Sequence, residues 1–482
     1  MVGKSDIVAG LAWTSVSTVG RRILALLANI ILARLLTPAD FGLVAMAAVV
    51  LGLVDIFKDL GTGAALIQRE QVSDALLSSV FWFNVVFGVL TTLAAVACAP
   101  FIALAYNEPR VAPVVAGMAL SFLLSSMAIV QNSMLQREMQ FATLTRIEVT
   151  AASVSYAVGI GAALLGHGVW SLVYVVLTNS ALFLILVWIA SRWRPGLQCS
   201  WAELRQVMRY SLNLASFNVF FYLAQNVDNL LIGRYLGSEP LGWYDLAYRL
   251  MTFPLQAISA VFGKVMLPYY ARVQDNLPQF RRAFLRVSGA IAFITFPLML
   301  GLLALREPFV LTVFGPQWTP VIALLALFAP LAALRSVQTT TGSIYMATGR
   351  TDLQLRWGVL SNFVSMAATV IGLQWGVVGV AAGYTIASLL MAFISFSVPL
   401  ELIGMRVGEL AYSLRTTALC SALMLGVLYL AQGPLTSHVG QTAALWLQTA
   451  LGVLAYAGFT CLFNRPLLLD LLQLAGLRKP AP

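Results

Sequence analysis

The residues able to do chemistry in this sequence are charged side chains embedded in long apolar runs. Arg21 and Arg22 interrupt the run that ends in NIILARLL, and Asp55, Lys58 and Asp59 fall in the next one. Asp228 stands beside Asn226 and Asn229, a later run carries Asp245, Arg249 and Lys264, and Arg335 precedes the polar string QTTTGS at 338–343. A charge at the centre of a bilayer costs ~2.5–3.5 kcal/mol on insertion scales, so each of these residues is a candidate for function. Guanidinium and ammonium groups suit an anion, and the planar fork of arginine matches phosphate. A carboxylate next to amide oxygens suits a cation or a proton.

Spacing limits how these groups can act together. Arg21 and Arg22 differ by about 100° around a helix, so the two do not aim at one point. Asp55, Lys58 and Asp59 are spaced i, i+3, i+4 and share a face, with one negative charge left over that can partner Arg21 or Arg22. Asp245 and Arg249 form an i, i+4 pair. The alternative for every one of these residues is an internal pair that fixes helix packing, and Lys264 also fits a simple excess of positive charge at one membrane face. No nucleophile–base constellation and no Walker A motif is present, so neither enzymatic turnover nor direct use of ATP is expected.

Positioning these groups falls to membrane-spanning helices. The chain has 482 residues, of which 60% are hydrophobic and 10% charged, with a mean hydropathy of +0.86. Soluble domains carry about 25% charged residues. Runs of about twenty apolar residues cross ~30 Å of hydrocarbon as helices, whose backbone groups are satisfied internally. Fourteen spans are expected near 10–32, 41–66, 76–103, 111–135, 144–166, 169–191, 207–233, 241–267, 284–305, 320–346, 355–374, 376–400, 411–431 and 442–463, with the break at Gly376 the shortest. The first run carries two arginines and no small-residue cleavage site, so it reads as a retained span and not as a signal peptide.

The net charge of +10 is explained by orientation and not by nucleic acid. Basic residues collect at the N-terminus, in alternate loops and at the C-terminus, among them Lys4, Arg69, Arg137, Arg192, Arg194, Arg281, Arg282, Arg406 and Lys479. The opposite loops hold Arg34, Arg110, Arg234 and Arg306. The positive-inside rule then places both termini in the cytoplasm, and Trp170, Trp243, Trp318, Trp375 and Trp446 at the outer interface. Cys98, Cys199, Cys420 and Cys461 are scattered, and His167 and His438 stand alone, so neither a disulfide frame nor a metal site is expected.

A repeat organises the chain. At an offset of 200, NIILARLLTPADFG matches NLLIGRYLGSEPLG through Asn29/Asn229, Arg34/Arg234, Leu36/Leu236 and Gly42/Gly242, followed by Ala47/Ala247. Six spans separate the copies, so both point the same way, as in transporters built from parallel repeats. The fold class expected is an all-α polytopic membrane protein with about fourteen helices. Two six-helix lobes in a pseudo-two-fold parallel repeat would enclose a central cavity, with two extra C-terminal helices. The corresponding domains are 1–192, an amphipathic cytoplasmic linker at 193–206 with a helix from Trp201, 207–404, and 405–482 with spans thirteen, fourteen and the tail. Arg21, Arg22, Asp55 and Lys58 face Phe221, Tyr222, Leu255 and Ile258 across the repeat, so folding symmetry does not require these charges.

The segment GLAWTSVSTVGRRILALLANIILARLLTPADFGLVAMAAVV, its turn LLTPADFG and the later DLGTGAALIQRE resemble the Wzx-type polysaccharide-unit flippases. These belong to the superfamily that also holds lipid II flippases and MATE drug exporters. The resemblance implies alternating access in the bacterial inner membrane and a lipid-linked oligosaccharide as cargo, carried on a polyprenyl diphosphate. Arg21, Arg22, Lys58, Arg249, Lys264 and Arg335 would then face the diphosphate. Asp55, Asp59, Asp228 and Asp245 would serve coupling or charge pairing, and Tyr222, Asn213, Asn218, Gln225 and Gln338 would hydrogen-bond the sugar. Spans thirteen and fourteen would hold the lipid tail. In lipid II flippases a sodium site involves spans seven, eleven and twelve, and the matching oxygens here are Asn229, Asn362 and Thr385, without a second carboxylate in span eleven. No cofactor is expected beyond a coupling H⁺ or Na⁺. Membrane lipids and the polysaccharide polymerase machinery are the expected neighbours. The competing expectation is an ion-coupled exporter of small cations, which would favour carboxylates over arginines in the cavity. A membrane-embedded glycosyltransferase is disfavoured because no outer loop is long enough for a catalytic domain.

Overall fold

The computed structural model describes residues 4–59, 62–69, 72–197, 200, 222–223, 225–438 and 440–465, and the regular structure among them is entirely helical. The amphipathic segment from Trp201, together with Asn213 and Asn218, lies outside the described residues, as do the side chains of Lys58, Asp59 and Lys264. The chain divides into two compact units, Met1–Asp245 and Leu246–Pro482. Helices of the first unit are α1 (Lys4–Leu35), α2 (Pro38–Asp59), α3 (Thr62–Gln68), α4 (Asp74–Tyr106), α5 (Val111–Ser126), α6 (Ile129–Arg137), α7 (Phe141–Leu164), α8 (Trp170–Ala190) and the helical residues 225–235, α9. Helix α10 (Ser238–Arg272) contains the unit boundary. The second unit continues with α11 (Leu277–Val313), α12 (Val321–Gln338), α13 (Thr341–Ala347), α14 (Thr351–Gly372), α15 (Gly376–Leu402), α16 (Val407–His438) and α17 (Gln441–Phe463).

Among the described residues nine helical stretches are long and apolar enough to cross a membrane, or ten if the bent pair α5–α6 forms one span. Phe101, Leu104, Ile189, Leu430 and Leu454 are exposed, as expected of side chains whose solvent is lipid. One stretch, Thr351–Leu402, runs for 52 residues, or roughly 78 Å at 1.5 Å per residue, far more than one bilayer. It is two helices: Gly376 takes a φ of +68°, and α14 and α15 fold back so closely that a methyl group on Gly372, Gly379 or Gly383 would strike the facing backbone.

One expected span is bent and another carries a short turn. Within the span drawn at 41–66, α2 is described to Asp59 and α3 from Thr62. Its C-terminal carbonyls at Leu66 and Arg69 are capped by the guanidinium of Arg137, and Thr62 donates to Asn84 at 3.2 Å. The span drawn at 111–135 bends by 44° between α5 and α6, where the Trp188 indole takes the Met127 carbonyl (2.9 Å). The span drawn at 320–346 is one membrane-length stretch, Val321–Ala347, with a short turn between α12 and α13. There the hydroxyls of Thr339, Thr340 and Thr341 donate to the carbonyls three residues back, Ser336, Val337 and Gln338. Local side-chain bonds of this kind compete with the helical ladder, so the string QTTTGS places a turn within the span. Nearby, Thr295 and Ser336 share a hydrogen bond of 2.7 Å, both buried, joining α11 to α12.

The repeated turns are built by different local chemistry. In the first, Thr37 caps α2, Pro38 opens the helix, and Asp40 accepts from the Thr37 amide (2.9 Å) and hydroxyl (2.7 Å), a reciprocal cap with proline at its favoured first position. In the second, Gly237 takes a φ of +96° where the first has Thr37, a left-handed conformation that glycine adopts without steric cost. The shared glycines explain why the turn is written twice. A Cβ on Gly42 would collide with the backbone of Ser238, and one on Gly242 with the backbone of Pro38. Pro38 and Ser238 are themselves equivalent at the offset of 200, so this contact inside the first unit is its own symmetry mate.

Candidate functional site

Three polar centres hold most of the intramembrane charges whose side chains are described. The first lies on α1, which packs along α7. Arg21 forms an ion pair with Glu148 of α7 at 3.2 Å. Among the described residues the Arg21 Nε is shielded without a hydrogen-bond partner, and so is the Arg22 Nη1. Among the described residues Arg22 makes no ion pair, so at this point of the α1–α7 contact two adjacent guanidinium groups meet one carboxylate, Glu148. The carboxylate seen on Arg21 is therefore Glu148, a residue the sequence reading passed over. It lies near one end of an expected span, two residues from Arg146, where charge usually marks an interface. Asp55 is exposed on α2.

The second centre is Asp228, 9% exposed. Its carboxylate accepts from the Tyr244 hydroxyl (2.6 Å) and from the Asn229 backbone amide (2.9 Å). The Asn229 side chain donates to the Asn226 amide oxygen at 3.5 Å, and Asn226 in turn donates to the Tyr222 carbonyl. Tyr222 donates its own hydroxyl to the Ala48 carbonyl (3.0 Å) and lies against Gly52. Of the other expected ion-site oxygens, Asn362 is half-buried and Thr385 is buried, with its hydroxyl unpartnered. Both belong to the second unit, whereas Asp228 and Asn229 belong to the first. Among the described residues no group of three or more His, Cys, Asp or Glu could hold a metal ion.

The third centre is Arg335 of α12. Its Nη1 donates to the Tyr384 hydroxyl and its Nη2 to Ser388 at 3.3 Å, and the guanidinium carbon lies 4.8 Å from the centre of the Tyr384 ring. The Tyr384 and Tyr248 hydroxyls stand 3.5 Å apart, and Phe328 meets both rings edge-on at 6.2 Å. Arg335 is thus held by hydroxyls and an aromatic face, which fix the orientation of the half-buried guanidinium. Arg249 is exposed and Asp245 half-buried on α10.

Beside the paired turns a polar strap closes the loop between α4 and α5. Arg110 grips Glu108 through Nε (2.9 Å) and Nη2 (2.8 Å), and Ser238 lies 3.4 Å from the Glu108 carboxylate. The hydrogen-bonded guanidinium holds the Glu108 carboxyl below the usual carboxylate range, and Glu108 in turn raises Arg110.

This all-helical architecture defines a polytopic membrane protein. A family model described as "Polysaccharide biosynthesis protein" matches residues 31–323. The chain is 28% identical to the lipopolysaccharide biosynthesis protein WzxC of Escherichia coli (strain K12), covering 82% of this chain and 81% of that one. It is 29% identical to the teichuronic acid biosynthesis protein TuaB of Bacillus subtilis (strain 168), covering 74% of each. In structure it is similar to the lipid II flippase MurJ in an inward closed conformation, with a TM-score of 0.78, 17% identity, and coverage of 94% of this chain and 99% of that one. The chain belongs to the polysaccharide biosynthesis family of Wzx-like flippases, a family of multi-pass membrane transporters and not of enzymes.

Proposed function

We propose that this protein moves an oligosaccharide carried on a polyprenyl diphosphate across the bacterial inner membrane, by alternating access, for assembly of a surface polysaccharide. Both termini then lie in the cytoplasm, and the products pass to a polymerase on the far side. The observation that supports this cargo is on α1: Arg21 is paired with Glu148, and Arg22 beside it keeps a shielded nitrogen that lacks a partner among the described residues. A diphosphate carries at least two negative charges and loses its hydration on entering the membrane. A guanidinium with a donor to spare replaces part of the lost water through charge-assisted hydrogen bonds. Arg249, exposed on α10, is the second cation assigned to the headgroup. Asp228, nearly buried and accepting from the Tyr244 hydroxyl and the Asn229 amide, is the residue assigned to a coupling H⁺ or Na⁺. The family's relatives are named for polysaccharide biosynthesis, which favours the lipid-linked cargo over small cationic compounds.

The test uses a strain whose own flippase gene is deleted and which makes polysaccharide only when this protein is supplied. The double variant Arg22→Ala/Arg249→Ala is expected to accumulate to normal levels in the membrane and to restore no surface polysaccharide. Normal export from that double variant rejects the cationic-headgroup reading.

A further inference from the structure

Proline inside a membrane helix leaves a carbonyl unpaired one turn back, because it has no N–H to donate. Helix α11 carries Pro297, and the carbonyl four residues earlier belongs to Phe293. That carbonyl accepts a hydrogen bond of 2.8 Å from the hydroxyl of Tyr456, on the last helix, α17. The rings of Phe293 and Tyr456 also meet, with centroids 5.5 Å apart. Nothing in the local sequence of α11 supplies this donor; it arrives from a residue far along the chain.

The rest of the C-terminal hairpin grips the same helix. Arg306 of α11, two residues before Pro308, donates to the Tyr429 hydroxyl of α16 at 3.0 Å. Ala304 of α11 is buried with Met424 and Leu428 of α16, and Leu300, Ala455 and Tyr456 pack around them. Gly301 faces the end of Met424. On α17 the half-buried Tyr456 lies in line with the buried residues Ala444, Gln448, Gly452 and Thr460, one every fourth position, on the face that includes the contact with Leu428 of α16. The stretch of α11 between its two prolines is therefore bracketed by one hydroxyl from each helix of the hairpin.

We infer that Tyr456 is a positioning residue for transport: its hydroxyl replaces the hydrogen bond removed by Pro297, steadies α11 at that proline, and makes α16–α17 a working part of the carrier. The helix can be held there without being frozen, because a side-chain hydroxyl reaches the carbonyl over a wider range of geometry than a backbone N–H. As far as it concerns export, this inference rests on the flippase reading above.

The test compares Tyr456→Phe, Pro297→Ala and the double variant, because Phe keeps the ring and Ala restores the backbone donor. Amide hydrogen exchange is followed on the purified full-length protein in lipid nanodiscs, and surface polysaccharide is measured in the deletion strain. Tyr456→Phe is expected to raise exchange severalfold within residues 293–301 and to lower export at least fivefold at unchanged abundance. In the Pro297→Ala background the same substitution is expected to change neither quantity further. Wild-type exchange at 293–301 in Tyr456→Phe overturns the inference, and so does a rise that persists undiminished in the Pro297→Ala background. If Pro297→Ala does not accumulate, Tyr456→Phe alone decides: a rise confined to α11 supports the inference, and one spread evenly over α16 and α17 marks ordinary packing and overturns it. If the wild-type protein moves no lipid-linked oligosaccharide, the flippase reading falls while the exchange result for α11 stands.

Discussion

Two arginines at membrane depth, Arg22 on α1 and Arg335 on α12, look alike in sequence and sit in opposite surroundings. Arg335 is enclosed by Tyr384, Ser388 and the ring system of Phe328 and Tyr248, with donors from both ends of its fork in use. Arg22 stands beside a neighbour that has already taken the local carboxylate, and one of its shielded nitrogens meets no acceptor among the described residues. An unmet charged donor is costly to maintain in a low-dielectric setting. A chain retains such a group where a ligand completes it, and a satisfied one where it holds helices together. From this contrast we propose that Arg22 serves cargo and that Arg335, expected at the headgroup from sequence, serves architecture.

The sharpest way to break this contrast is to remove each guanidinium in turn. Arg22→Ala is expected to lower export at least about tenfold, the equivalent of one lost charge-assisted hydrogen bond of ~1.5–3 kcal/mol, while the protein accumulates normally and melts in detergent at the wild-type temperature. Arg335→Ala is expected to do the reverse, destabilising by about 2 kcal/mol, visible as a lower melting temperature, with export falling only as far as abundance does. A stable but inactive Arg335→Ala, or an unstable Arg22→Ala, exchanges the two roles. A finer version is Tyr384→Phe, which keeps the ring under the guanidinium and deletes one acceptor. Its cost should be about 1 kcal/mol, and melting-curve analysis against wild type measures it.

The smallest effect expected is at the exposed strap. The folded pKa of Glu108 lies below its unfolded value because of Arg110, so the stabilisation is present above the unfolded pKa and is lost as pH falls through the folded one. Glu108→Gln should therefore lower the melting temperature slightly at neutral pH, and not at all once the pH has fallen below the depressed folded pKa and the carboxylate is protonated in both states. The difference should also shrink in high salt, because the pair is exposed to solvent. A penalty that stays constant with pH would show that the strap acts by shape and not by charge.

Much of the fold is legible in the residues themselves. Apolar stretches such as those of α4 and α8 announce membrane helices because length and hydropathy are local properties. The glycine at 376 marks a turn because only its backbone takes that conformation cheaply. The bend and the turn were harder to read. Thr339, Thr340 and Thr341 look like a polar patch beside Arg335, yet their hydroxyls are spent on their own helix. The bend at Met127 depends on an indole from α8, which no window of sequence around it contains. Of the candidate site, the cations were visible in outline, and Glu148 was missed because a carboxylate near the end of a span looks like an interfacial residue.

By itself the sequence determined that this chain lives in a membrane, where most of its helices run, and that one turn is used twice. Each of these follows from composition, hydropathic length and the conformational limits of a few residues, all readable within a short window. Only the tertiary structure decided that the two turns meet through Gly42 and Gly242, that Glu148 answers Arg21, that Tyr384 encloses Arg335, and that Tyr456 takes the carbonyl freed by Pro297. A side chain's partner depends on which helices become neighbours and how each is rotated about its axis, and that is settled by packing across the whole unit.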